Sequence, residues 1–286
     1  MSDLLQLIIS GLMVGSIYGL IGIGFTTIYN VTGIVNFAQG DLAMIGAILA
    51  ITFYGLSLPL ALAILLSVIC VGVLAAIIER LAIRPLGNSV MRGIIVTIGV
   101  GSILQGVAIS GWGTQAYSLP AFTSGGPIPV LGATILPQTF WILGTTVVLM
   151  VGLYLFFTRS YLGKAFRACA INSFAAQIIG IRLNNIRVLG FVLSGFFGAI
   201  AGIIVAPIAL TQFDSGVAIG IKGFVACIIG GFGNPIGAAL GGLILGIIEA
   251  LSSGYLSSGF KNAIAFVMLI GFLVWKPTGI LGELEK

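Results

Sequence analysis

The chain contains no histidine and few charged residues of either sign. Of its 286 residues, 7% are Asp, Glu, Lys or Arg, whereas a soluble domain has about a quarter. Without histidine the commonest general base and metal ligand is missing, and no Ser-His-Asp set can form. Cys70, Cys169 and Cys227 are too scattered for a metal motif. We therefore expect no catalytic set, no disulfide, no metal site and no cofactor bound by this chain.

Apolar residues take the place of the missing charges. They make up 59% of the chain, and the mean hydropathy is +1.23. Repeated apolar runs near twenty residues are typical of transmembrane helices, and 43 glycines allow helices to pack closely. Asp3 is the single charge before the first run, so a cleavable signal peptide is not expected. The sequence predicts an all-α fold, a polytopic transmembrane helical bundle that forms one domain over residues 1–286.

The apolar segments predict eight or nine membrane spans. Nine crossings place the N-terminus outside, and a broken, re-entrant glycine-rich segment reduces the count to eight. The predicted segments are 4–29, 42–54, 58–78, 93–110, 138–158, 188–210, two within 216–251 on either side of the break at 230–235, and 262–275.

Residues 159–187 form a basic interruption of these spans. The stretch reads RSYLGKAFRACAINSFAAQIIGIRLNNIR and has five basic residues and no acidic one, between the uncharged stretches 93–158 and 188–212. Positive charge collects in cytoplasmic loops, so the segment is expected in the cytoplasm. An ordinary positive-inside loop explains the charges but not the length or the helical pattern. Since the net charge of +5 is concentrated in such loops and in the tail, no nucleic-acid partner is expected.

Polar residues also interrupt the apolar sequence at 30–41, which reads NVTGIVNFAQGD. Asn36, Gln39 and Asp41 fit a discontinuous helix beside a translocation path. They fit equally a short surface loop in which Asp41 caps the next helix. Asn234 stands beside glycines in a second, weakly similar break. Lys222 is able to attract a substrate carboxylate, although the more frequent behaviour of such a lysine is to extend to the membrane interface.

The sequence lacks the groups that would drive transport from within the chain. No phosphate-binding GxxxxGK[ST] loop occurs, and the apolar segments contain no paired acids or histidines for a proton relay. Energy for transport is therefore expected from another protein.

Within the basic segment, residues 174–180 read FAAQIIG, a short helix with a glycine stop that is suited to docking in a groove. It resembles the coupling helix of bacterial ATP-binding-cassette importer permeases. Three further stretches resemble the branched-chain amino acid permease family in the right order. These are GSIYGLIGIGFTTIYNVTGIVNFAQGDLAMIGA at 15–47, Glu79-Arg80 with Arg84-Pro85, and GGFGNPIGAALGG at 230–242.

This resemblance implies one membrane subunit of an importer in the bacterial inner membrane. Its implied partners are a homologous second permease, two cytoplasmic ATPases that use ATP and magnesium, and a periplasmic substrate-binding protein. The implied substrates are chiefly leucine, isoleucine and valine, which cross by alternating access. Relatives that carry other amino acids, amides or urea leave the substrate open, and a carrier or channel acting alone or a structural subunit stays an alternative.

The resemblance also implies functional residues. The residues implied to dock against the ATPase are Ala175, Ala176 and Gly180. The charged residues implied to form a rim around this docking surface are Arg167 and Arg182. Phe174 stands where the family commonly has an acidic residue, which removes an ion pair to the ATPase from that position. The residues expected along the translocation path are Asn36, Gln39 and Asn234.

Overall fold

The computed structural model describes residues 2–87, 89–123, 125–130 and 132–282. In these residues the chain forms eleven α-helices: α1 Ser2–Thr32, α2 Gln39–Gly55, α3 Leu60–Ile78, α4 Val90–Trp112, α5 Pro137–Arg159, α6 Tyr161–Ile171, α7 Ser173–Ile178, α8 Leu183–Val205, α9 Ser215–Gly230, α10 Pro235–Tyr255 and α11 Lys261–Trp275. A π-helical turn, Glu79–Ile83, and a 3-10 turn, Arg84–Leu86, extend α3. The predicted all-α class is correct apart from a small antiparallel hairpin of β1, Ile128–Val130, and β2, Ala133–Ile135.

Six helices in the described part of the chain are long and apolar enough to cross a membrane. They are α1, α4, α5, α8, α10 and α3 with its extension. The helices α2, α9 and α11 are apolar but shorter, with 17, 16 and 15 residues. The chain is therefore a multi-pass helical membrane protein.

A glycine seam joins α1 to α10. A Cβ atom added to Gly15 would lie 2.6 Å from the carbonyl oxygen of Gly242 and 2.8 Å from the Cα of Leu243. Gly11 meets the backbone of Gly246 and Ile247 in the same way. Backbones can approach this closely only where side chains are absent. The glycines at four-residue spacing in α1 thus form a closely packed helix face.

The helix α8 packs against α2 on the other side of the bundle. Ser194, Gly198 and Gly202 face α2, and an added Cβ at Gly202 would overlap the carbonyl group of Ala43. The buried side chains around α8 include Phe191 and Phe197. The helices α1 and α8 therefore enclose the first residues of α2 within the protein.

Candidate functional site

The basic segment folds into two short helices beyond the end of α5. The hydroxyl of Ser160 accepts a hydrogen bond from the Gly163 N–H at 2.9 Å and caps α6. The side chain of Asn172 accepts from the Ala175 N–H at 2.9 Å and caps α7. Such caps satisfy N–H groups that have no acceptor within the helix. Two capping residues thus divide the segment into α6 and α7.

A glycine in a left-handed conformation ends α7. Gly180 has φ of 90°, and its N–H donates to the Gln177 carbonyl at 3.0 Å, while the Ile181 N–H donates to the Ala176 carbonyl at 3.0 Å. This pair of bonds is a Schellman motif, which favours glycine at that position. Ala176 is buried, whereas Ala175 is exposed. Arg182 is exposed and directly precedes α8.

The outer face of α7 is apolar, which the sequence-based reasoning missed. Phe174 is 72% exposed and Ile178 is 71% exposed, and Ile179 follows on the same surface. Phe174 and Ile178 are four residues apart and so share one helix face. Ala176 packs inward with Phe166 and Cys169. The signal was present in the sequence as large apolar residues at helical spacing inside a polar segment.

A cavity of about 910 Å³ lies between the basic segment and the bundle. Arg167 and Asn234 line it together with Arg187 and the end of α1 at Thr32. The structure thus brings together two residues that the sequence assigns to different roles, ATPase docking for Arg167 and the path for Asn234. Cys169 also lines the cavity, and burial raises the pKa of its thiol.

The polar break between α1 and α2 lies inside the protein. The helix α1 continues to Thr32, and the residues before Gln39 are not helical. Asp41 is 3% exposed, and its Oδ1 accepts a hydrogen bond from the Gln105 Nε2 at 2.9 Å. Ala38 is the residue that precedes α2, and its side chain makes no cap. The interpretation as a surface loop capped by Asp41 is therefore wrong.

The structure gives the three predicted path residues different surroundings. Gln39 is buried and binds α8, donating to the Ser194 carbonyl at 3.0 Å and accepting from the Ser194 hydroxyl. Asn234 caps α10, accepting from the Ile236 and Gly237 N–H groups, and its Nδ2 donates to the Leu281 carbonyl at 3.1 Å. Asn36 is buried in the break and does not line the cavity.

Lys222 belongs to an ionic cluster within the bundle. Its Nζ lies 2.9 Å from the Oε1 of Glu249, and the Lys261 Nζ lies 3.2 Å from the same oxygen. The Tyr18 hydroxyl donates to that oxygen at 3.1 Å. The Glu249 side chain is 1% exposed and that of Lys222 is 11% exposed. Lys222 therefore neither extends freely to the interface nor stands free for a substrate, contrary to both interpretations of the sequence.

A series of aromatic rings connects the cavity to the break. The rings of Tyr29 and Phe232, which line the cavity, have centroids 4.5 Å apart. Phe232 contacts Phe224 at 5.8 Å, and Phe224 contacts Phe37 of the break at 5.5 Å. Such pairs stabilise packing by about 0.5–1.5 kcal/mol each beyond the area they bury.

The described residues contain no group of three or more His, Cys, Asp or Glu side chains that could hold a metal ion. Apolar helices of membrane length, a buried polar break and the short helices α6 and α7 are features expected of a membrane transport subunit. Residues 7–273 match the family model of the branched-chain amino acid transport system permease component. The chain belongs to this family.

Curated relatives cover almost the whole chain. It is 37% identical to the high-affinity branched-chain amino acid transport system permease protein BraD of Pseudomonas aeruginosa, over 99% of this chain and 97% of the relative. It is 35% identical to the corresponding protein LivH of Escherichia coli, with the same coverage. Among solved structures, PsaBC of Streptococcus pneumoniae in complex with Fab matches with a TM-score of 0.53 and 16% identity, over 97% of this chain and 94% of the other. That likeness concerns the fold alone.

Proposed function

We propose that this protein is the permease subunit of an ATP-binding-cassette importer that carries branched-chain amino acids into the cytoplasm. The observation that carries the proposal is the family match over residues 7–273, together with relatives of the same transport system along their full length. The protein is a multi-pass protein of the inner membrane and not an enzyme. Separate subunits hydrolyse the ATP.

Nine passes with the N-terminus outside describe the chain best. Gln6 near the N-terminus binds the backbone of Thr134 in the uncharged loop before α5, which lacks the Lys and Arg of a cytoplasmic loop. At the opposite end, Arg84 pairs with Glu79 at 3.4 Å, and Arg187 attracts the same carboxylate. The basic residues after α3 thus lie with those of the basic segment. In this topology α2, α9 and α11 complete the passes, and residues 1–286 form one domain.

The proposed partners are a homologous permease, two cytoplasmic ATPases and a periplasmic binding protein. The helix α7 is the docking element for an ATPase, with Ala175, Ala176 and Gly180 forming its body and end. Arg167 and Arg182 flank it as a charged rim. Because Phe174 and Ile178 are exposed, the contact is apolar at the position where relatives of this class use an acid.

Truncation of one exposed side chain tests this docking. Phe174→Ala is expected to reduce co-purification of the ATPase with the permease, since it removes the largest exposed apolar group of α7. Leu81→Ala is the matched control, because Leu81 is 74% exposed on the extension of α3. Equal ATPase recovery from both variants would contradict docking through α7.

The end of α7 is expected to transmit movement from the ATPase to the bundle. Gly180→Pro imposes φ near −65° where the chain has 90°, and it removes the N–H bonded to Gln177. The variant should keep ATP hydrolysis and lose uptake. Normal uptake by an assembled Gly180→Pro complex would count against the coupling role.

For translocation we propose a path past the break at Asn36 and Gln39 and out through the cavity at Asn234. Alternating access exposes this path to each side in turn. Uptake assays with leucine, isoleucine, valine and urea, in vesicles containing the complete importer, test the substrate class. Saturable ATP-dependent uptake is expected for the three amino acids, and a preference for urea would refute it.

A further inference from the structure

We propose that the break between α1 and α2 binds the carboxylate of the transported amino acid, with the Asn36 side-chain amide and the N-terminus of α2 as donors. This rests on the proposed function, because it assigns one chemical group of the substrate to one part of the path.

The break lies close to the middle of a membrane-spanning helix. The Thr97 hydroxyl accepts from the Phe37 N–H at 3.2 Å, and its oxygen lies 3.3 Å from the Val35 carbonyl oxygen, so Asn36 lies beside Thr97. Gly101 is the central residue of α4, Val90–Trp112. Four residues, or about 6 Å of helical rise, separate it from Thr97. Asn36 is therefore well inside the span.

Two of the first N–H groups of α2, those of Gly40 and Asp41, have no acceptor among the described residues, whereas the Gln39 N–H donates to the Asn36 carbonyl at 3.0 Å. The first N–H groups of a helix have no acceptor within it and carry the positive end of the helix dipole. Ala38 provides no side-chain cap for α2. The Asn36 Oδ1 accepts from the Ala38 N–H at 3.2 Å, which holds the amide against this helix end. Its Nδ2 is buried and has no hydrogen-bond partner among the described residues.

Comparison with Asn234 shows what is unusual about Asn36. Both side-chain oxygens accept from the N–H group two residues further along the chain. The Asn234 Nδ2, however, donates to the Leu281 carbonyl, whereas the Asn36 Nδ2 has no acceptor in the described chain. A buried donor without an acceptor costs free energy. An anionic group bound at this point would remove that cost.

One side chain of the break faces outward. Phe37 is 36% exposed, although Asn36 before it is fully buried. Non-helical backbone at membrane depth is tolerated only against protein or an aqueous path, because lipid cannot satisfy its polar groups. The Phe37 side therefore faces the path or the second permease. Its ring and that of Phe224, 5.5 Å apart, supply apolar surface for a substrate side chain.

Asp41 restricts the kind of anion that fits. It lies in the first turn of α2, five residues after Asn36, and its Oδ1 accepts from Gln105. A simple anion near α2 is repelled by this carboxylate, whereas a zwitterion brings an ammonium group that offsets the repulsion. The chemical class that fits is a zwitterionic amino acid with an apolar side chain.

Equilibrium binding to the nucleotide-free complex of both permeases and both ATPases tests the assignment. Bound radiolabelled leucine is displaced with unlabelled leucine or with leucinol. Leucinol keeps the ammonium group and side chain of leucine but lacks the carboxylate. The wild-type complex is expected to bind leucine about tenfold or more tightly than leucinol, because a hydrogen bond to a charged group contributes about that much affinity. Asn36→Ala should weaken leucine binding about tenfold and leave leucinol binding unchanged. The preference for leucine over leucinol should therefore disappear.

Two further variants control for indirect effects. Only preparations in which all subunits co-elute as one complex are compared. Asn36→Asp keeps the size of the side chain but replaces the donor with a negative charge, so it should weaken leucine further. Asn262→Ala changes an exposed asparagine of α11 and should keep the preference. A wild type without preference, or an Asn36→Ala complex that keeps it, overturns this site even if uptake proceeds. A complete wild-type importer that does not take up leucine overturns the proposed function instead.

Discussion

The glycine seam between α1 and α10 supports a quantitative prediction. In Gly15→Ala the new Cβ would lie 2.6 Å from the Gly242 carbonyl oxygen and 2.8 Å from the Leu243 Cα. These are backbone atoms, so the helices must separate by close to 1 Å to reach ordinary contact. Overpacking of this kind costs about 1–3 kcal/mol, and the higher helix propensity of alanine returns about 1 kcal/mol. We expect a net loss of up to about 2 kcal/mol.

Gly106→Ala is the matched control for this change. Gly106 is exposed in α4, and an added Cβ there meets nothing within 4 Å. The substitution should stabilise the protein by about 0.5–1 kcal/mol through helix propensity alone. Unfolding of both variants by SDS in mixed micelles, followed by circular dichroism, gives the difference. If Gly15→Ala proves as stable as Gly106→Ala, the α1–α10 contact is not as close as described.

Two further predictions concern buried groups. Glu249→Gln leaves the buried Lys222 without its ion pair and should cost about 3–5 kcal/mol in the same unfolding assay. Lys261→Met, at a lysine 46% exposed, should cost less than about 1 kcal/mol, and equal losses would contradict a cluster centred on the carboxylate. Because burial raises the pKa of Cys169, its thiolate fraction at neutral pH is lower than that of an exposed thiol. Maleimide should therefore label Cys169 more slowly than Ala170→Cys at neutral pH, with the Cys169 rate rising as pH increases, and equal rates would count against its burial.

Local sequence patterns predicted the helical membrane fold and the short helix with its glycine end. Apolar runs and the Gly180 stop act over a few residues, so they can be seen without the structure. The first turn of α2 was not predicted as helix, because Gln39 and Asp41 interrupt the apolar run. These polar residues are tolerated since Ser194 and Gln105 bond them within the bundle.

The ionic cluster could not be predicted from local patterns. Tyr18 and Glu249 are 231 residues apart, and Lys222 and Lys261 come from two other helices. Nothing in periodicity or spacing pairs such distant charges, because the pairing depends on how α1, α9, α10 and α11 assemble. The exposure of Phe174 on α7 accompanies the inward packing of Ala176, and its signal was present in the sequence as Phe174 and Ile178 at helical spacing.

The central claim is that this chain is a gate moved by ATPases on other polypeptides. The direct measurement is uptake of radiolabelled leucine into vesicles that contain either this chain alone or the complete importer with its binding protein, with and without ATP. The account predicts concentrative uptake only by the complete importer supplied with ATP. Concentrative uptake by this chain alone, with no nucleotide present, would contradict it.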